Sequence, residues 1–577
     1  MRILSWTALA LCSAIILAEE IPQPTLAELV KSGVSTPQQQ AALEEAYLRL
    51  QLDRLTGAAP LPVAKGRTMS KLTDDEIAKL KVWFDSSPTV RRKLLLALSP
   101  GEDDFAAASR VVLSLREKYP RECETLENLV VAFATTWDDE KTLKENHVHG
   151  IPELWNAGYT GAPLLDSFGW FAKNQSRLCP WFKNTPHQLL KFLANEFTAI
   201  EERDWLSKTY PAFRNNIGVV YSDIVYDHAK LQDGKGKLAD KPYTLTNLKQ
   251  LGGVCRDQAY YARAACRSMG MPAYYASGSA NSGGRHAWVG WIVYEQNSFK
   301  LVSHGRYEYD KYFTAQITDP KSGERVLDYL VAIEAKALSN EKGFETAEFC
   351  YRAWSEVSKD ESIPVDAKNA LLIAALKKNP YHRAAWLAIG DATVRGELPL
   401  ESAGKQWEFL TKTFTEFPDF IYSMAVKFSA MHKAAKEKYG FFESNSKMFV
   451  LLKRQDLVAK LRIDQIDMCE KEDRKDLAAQ VAITGMQECA GEGERGVLLA
   501  KKAVQLLRDH KQLPLAVKPL NVATKGMMKI RAGNINPNWL ELMELLRGVH
   551  SDLGEAKQAD GVQQEIDRTL KTAATKR

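Results

Sequence analysis

Between residue 22 and about residue 145 the apolar positions recur at helical spacing. Thr73-Asp74-Asp75-Glu76 reads as a helix start ahead of Ile77, Leu80, Val82 and Trp83, and the runs 105–119 and 126–136 repeat the pattern. A small helical domain is predicted there. From Ile151 the spacing breaks up, with Trp155, Phe168, Trp170, Trp181 and Phe182 set among glycines and prolines. These rings are expected to plug the contact between neighbouring domains, with a substrate groove as the alternative. A helix is predicted over 186–198, and the segment 213–231, a glycine-rich turn and a short helix or turn over 246–251 follow.

The period is clearest next. Cys255, Ala259, Ala262, Cys266 and Met269 fall at steps of four and three, a single stripe of an α-helix that closes at Gly270. The chain then turns β-prone. Ala273 to Ala276 reads as a short strand, 277–284 as a flexible connection, and 286–294, rich in Trp, Val and Ile, as a buried strand. Glu295-Gln296-Asn297-Ser298 is a turn leading into Phe299-Lys300-Leu301-Val302, so a hairpin leaves His286 at its open end.

Beyond Leu338 the helical period returns and is expected to persist to the end. The run 370–376, the break Lys377-Lys378-Asn379-Pro380 and the run 384–390 look like one tetratricopeptide unit, and a second junction stands at Glu416-Phe417-Pro418. The two prolines are 38 residues apart, which describes a degenerate helical-hairpin array. Arrays of this kind offer a surface to a protein partner.

Cysteine and histidine bring the chemistry. Cys255 begins a helix, where unpaired backbone N–H groups and the dipole favour a thiolate, and His286 follows 31 residues later on a strand. The pair suits a thiol nucleophile and its base. Asp257 is expected to sit in the first helical turn and to anchor a neighbouring loop rather than to act as a catalytic acid.

The succession Gly252-Gly253-Val254-Cys255-Arg256-Asp257, the helix closing in Gly270-Met271-Pro272-Ala273, and His286-Ala287-Trp288-Val289 resembles the transglutaminase-like superfamily, over roughly residues 186–335. The resemblance implies a papain-like Cys-His-Asp core with Cys255 as nucleophile and His286 as base. Its third carboxylate is expected four residues past the aromatic Phe299, where this chain has Ser303. Asp310 is the favoured substitute, delivered by a bulge or a longer hairpin, with His304 and Asp319 behind it. A Cys255–His286 dyad also remains workable, because the orienting group fixes the imidazole without carrying the proton.

Length, charge and cysteine usage set the frame. At 577 residues the chain holds several domains, and a net charge of +5 without a sustained basic block gives no footprint for nucleic acid. Met1-Arg2 and the apolar stretch 3–17 read as a secretory signal cleaved after Ala18, leaving no stable membrane span and a secreted, periplasmic or otherwise extracytoplasmic protein. Without Cys12 seven cysteines remain, an odd number, with Cys469 and Cys489 the one candidate local bridge. His147 and His149 read as loop residues rather than metal ligands, and neither metal nor cofactor is expected.

The expected fold is multidomain α+β: a signal over residues 1–18, an N-terminal helical domain over 19–150, a transglutaminase-like domain over 151–335 with its core at 186–335, and a helical-hairpin domain over 336–577 of α-solenoid type. Two functions compete. One is an exported cysteine hydrolase or acyltransferase acting on peptide or side-chain amides of a peptide or protein substrate. The other is a catalytically weak or inactive scaffold that works through its helical array. An active site predicts a Cys255 thiol titrating well below the ordinary value of about 8.5.

Overall fold

The computed structural model describes residues 24–62, 69–138, 162–279, 284–306, 315–489, 491–531 and 534–575. The signal, His147, His149, Trp155 and Asp310 lie outside the described residues. Among those described, no helix is long and apolar enough to cross a membrane.

The N-terminal helices begin where their caps dictate. Thr73 Oγ accepts from Glu76 N–H, and the Glu76 carboxylate accepts from Thr73 N–H at 2.7 Å, a reciprocal capping box that opens the helix Asp74–Ser86. Helices Phe105–Lys118 and Glu127–Thr136 occupy the two later periodic runs. Their apolar faces do not close on themselves. Phe105, Val112 and Phe133 share one continuous core with Phe168, Phe182, Ala259 and Cys266. Phe168 and Phe182 are therefore packing groups, at 0 % and 2 % exposure, and line no open groove.

The helix expected over 186–198 covers only His187–Ala194. Glu196 ends it by folding back, its carboxylate accepting from Thr198 N–H at 2.7 Å and from the Thr198 hydroxyl at 2.6 Å. Arg203 then ties the turn by donating to the carbonyls of Thr198 and Glu196.

Five strands form one antiparallel sheet in the order β3-β2-β1-β4-β5: β1 Ala273–Ser279, β2 Arg285–Glu295, β3 Ser298–His304, β4 Gln316–Thr318 and β5 Arg325–Leu327. Gln296 and Asn297, both at positive φ, make the two-residue turn of the β2–β3 hairpin. β2 is covered on both faces. Ala287, Val289 and Trp291 pack on the helix Cys255–Ser268, while Trp288 and Ile292 pack with Leu189, Phe192, Val331 and Ala335 on the far side. That double burial explains its almost unbroken apolar run.

From Glu341 to Thr575 the described residues form a succession of helices broken by one small ribbon. The Asn379-Pro380 break separates the helices Val365–Lys378 and Arg383–Val394, whereas Pro418 opens the helix Pro418–Phe428 at a first-turn position where its missing N–H costs nothing. Polar ties recur at a nearly fixed interval: Glu348 with His382, Asp419 with Arg454, Lys438 with Glu472 and Gln455 with Cys489 are 34 or 35 residues apart. The expected run of helices to the end is interrupted once. Ile530–Arg531 and Asn534–Ile535 pair as a small ribbon that Asn536 N–H extends by donating to Lys529. Cys469 and Cys489 are separately buried and free, so they form no bridge; the sulfur of Cys489 donates instead to the Gln455 carbonyl.

Candidate active site at the start of the Cys255 helix

Two glycines set the position of Cys255. Gly252 holds φ of 87°, and a Cβ there would lie 2.4 Å from the Val225 carbonyl oxygen. A Cβ on Gly253 would lie 2.5 Å from that of Asp257. The bare backbone can therefore join the neighbouring segment as a short parallel bridge, Gly253 N–H donating to Val225 and Asp227 N–H to Gly253.

Asp257 is wholly buried and fastens the helix start to that segment. Its carboxylate accepts from Val254 N–H at 2.8 Å, from the Tyr243 hydroxyl at 2.8 Å and from the Lys230 ammonium at 2.9 Å. One side chain thus caps the helix and anchors Tyr243 and, on the short helix His228–Asp233, Lys230, which leaves it no part in proton transfer at the sulfur.

Cys255 occupies the first helical position and is half-buried, while Ala259, Ala262 and Cys266 below it are sealed in the core. Its sulfur is faced by the backbone N–H groups of Ala287 and Arg256. The Cys255 sulfur therefore faces the His286–Ala287 peptide near the start of β2. The resting thiol differs from the acidic one expected at a helix start. Burial pushes it up and the Asp257 charge adds to this, while the N–H groups pull the other way without prevailing.

His286, 7 % exposed, leans over Trp288 with ring centroids 6.2 Å apart. Its Nε2 donates to the Gly305 carbonyl at 2.6 Å, just past the end of β3. With the proton held on Nε2, Nδ1 of a neutral ring keeps its lone pair. The carbonyl thus does what the orienting carboxylate of a triad does for the tautomer. Nearby, the Tyr221 hydroxyl donates to the Ala287 carbonyl at 3.0 Å and steadies the same strand end.

The sheet register disposes of the other candidates. Ser303 pairs with Gly290, four residues along β2 from His286, and is exposed. His304 pairs with Val289, with Nε2 3.0 Å from the Ser222 hydroxyl. Asp319 is paired with Lys191 at 2.8 Å beyond β4 and is unavailable. The favoured Asp310 is outside the described residues.

Sequence reasoning missed Tyr275 on β1. It packs against the same core as Cys255, and burial pushes its phenol up to about 12, so it stays protonated. Its hydroxyl has no hydrogen-bond partner among the described residues. The strand alternation carried a signal, since Tyr275 faces the Cys255 helix while Tyr274 faces the other core.

Residues 201–300 match the family model of the transglutaminase-like superfamily. The match contains Cys255 and His286 and stops within β3, while the sheet itself continues to Leu327. No curated protein matches the chain significantly.

Proposed function

We propose, from the premise that residues 201–300 are a transglutaminase-like domain, that the protein is an exported cysteine hydrolase or acyltransferase acting on peptide or side-chain amides. The observation that carries this reading is the meeting of the Cys255 sulfur with the His286–Ala287 peptide, His286 held by its Nε2–H on the Gly305 carbonyl. In the proposed reaction Nδ1 of His286 takes the thiol proton as Sγ attacks the amide carbon. The carbonyl π pair moves to oxygen, where the Tyr275 hydroxyl is the candidate donor. Collapse breaks the C–N bond, the imidazolium returns its proton to the leaving amine, and a thioester remains. Water then yields an acid, or a second amine yields a new amide. A thiol neutral at rest suits concerted proton removal rather than a preformed thiolate–imidazolium pair.

The apolar stretch 3–17 behind Met1-Arg2 supports export, and N-terminal sequencing of the mature protein is expected to begin at Glu19. The raised Cys255 thiol favours a second reading, a scaffold without turnover whose tetratricopeptide-like array binds a protein partner. Acylation by an activated ester such as p-nitrophenyl acetate, followed residue by residue by mass spectrometry, separates the two. The enzyme reading expects Cys255 to be acylated at neutral pH and the rate to fall by about tenfold or more in His286→Ala. Equal, slow acylation in both proteins would leave the scaffold.

A further inference from the structure

A second site lies away from Cys255. A cavity of about 390 Å³ opens where the turn after the helix Pro88–Ala97, the start of the helix His187–Ala194, the β4–β5 hairpin and the first helices of the array come together. Its volume lies in the range of small-molecule sites. Neither Cys255, Tyr275 nor His286 lines it.

Most of the charge in its wall is already matched. Lys191 pairs with Asp319 at 2.8 Å and Glu334 at 3.2 Å, Lys321 with Asp103 at 2.8 Å, and Arg352 with Glu348 at 2.6 Å. His382 closes the last set at 2.8 Å from the other Glu348 oxygen. Several polar groups are left over, among them Gln188, the Tyr351 hydroxyl, His187, Arg383 and Glu102. His187 is 8 % exposed, lines the cavity and has no hydrogen-bond partner among the described residues. Burial, with Lys93 and Lys321 nearby, pushes it down to about 3, so the ring is neutral and offers one donor and one acceptor. Arg383 and Glu102 stand exposed at the mouth, each without an ion-pair partner among the described residues. Tyr351 lines the same cavity, and both charges are felt at its hydroxyl, Glu102 raising and Arg383 lowering its titration.

These leftovers define a ligand. Four cationic and four anionic side chains line the wall, so it carries no net charge to draw in a phosphate. One unmatched cation and one unmatched anion flank an interior that includes Val331 and Phe344. We propose that the cavity binds the zwitterionic backbone of a free α-amino acid or short peptide. The carboxylate lies on Arg383, the ammonium on Glu102, an apolar side chain on Val331 and Phe344, and a remaining polar atom on His187. This site is independent of the Cys255 reading.

Calorimetric titration of the full chain carrying Cys255→Ala, which removes the thiol, tests it with leucine, glycyl-leucine, N-acetyl-leucine, leucine amide, inorganic phosphate and glucose as probes. Leucine or glycyl-leucine is expected to bind saturably at concentrations up to about 10 mM. Arg383→Gln is expected to weaken leucine by about tenfold or more while sparing leucine amide, and Glu102→Gln to weaken it similarly while sparing N-acetyl-leucine. Both substitutions are at exposed positions, and unchanged thermal melts would show that the fold is kept. Absence of leucine and glycyl-leucine binding, equal binding of phosphate or glucose, or leucine binding unmoved by both substitutions overturns the assignment.

Discussion

The region around Cys255 and the C-terminal array are both well packed, but they obtain their order differently. Around Cys255 the decisive contacts join segments far apart in the chain. Tyr221 reaches Ala287, the Trp291 indole donates to the Asn215 carbonyl, and the helix rests on a sheet that draws in residues as late as Leu327. In the array, ties recur at 34 or 35 residues and each helix meets mainly its neighbours. A change in the first region should therefore travel, and one in the second should stay local.

Substitutions can break this contrast. The largest effect is expected from Asp257→Asn, which removes the buried negative charge that caps the helix and pairs with Lys230, at about 3–5 kcal/mol. Urea unfolding should show the loss, and Cys255 alkylation should change with it because the same carboxylate caps the helix start. In the array, Arg462→Ala separates a buried guanidinium from Glu443 and Glu488. Those carboxylates are about one-third exposed, so the cost is expected to be lower, at ~2–3 kcal/mol. Cys255 alkylation should be unchanged; a parallel change in labelling would show that the two regions are coupled.

Acid sharpens the comparison. Burial would raise Glu196, but Arg267, Arg263 and Arg203 outweigh it and hold the carboxyl down at about 2. Glu348 is likewise held at about 2, with Arg352 and His382 outweighing its burial. An unfolded Glu titrates near ~4.3, so the stabilisation is complete above that pH and drains away as pH falls toward about 2. Urea midpoints measured from pH 5.5 down to 2.5 should decline, and Glu196→Gln and Glu348→Gln should each flatten the slope. The smallest effect, about 1 kcal/mol, is expected from Thr73→Ala, which removes one cap from an exposed helix start.

Local rules made much of this legible in the sequence. The Thr73 capping box, the 255–269 stripe, the turn at Gln296-Asn297 and the break at Asn379-Pro380 all lie within a few residues of what they specify. Residue type and spacing put Cys255 and His286 forward as a pair, and the family match spans both. The partner of His286 was not, because the Gly305 group that accepts from it is a backbone carbonyl, which leaves no letter in the sequence. Glu196 and its arginines were hidden for a different reason. They converge from the end of one helix, the next helix and the Cys255 helix, and no periodicity relates the three. The cavity was hidden in the same way, since its walls are spread from Leu96 to Ala384.

The Gly305 carbonyl has one more consequence. A neutral carbonyl dipole fixes the imidazole tautomer but stabilises an imidazolium less than a carboxylate would, so a charge-separated resting pair gains little from it. Peroxide attacks thiolates far faster than thiols. On the proposed reading, a site that keeps Cys255 protonated until an acyl group arrives is slow to form sulfenic acid, and the sulfur that would carry the chemistry gains oxidative durability.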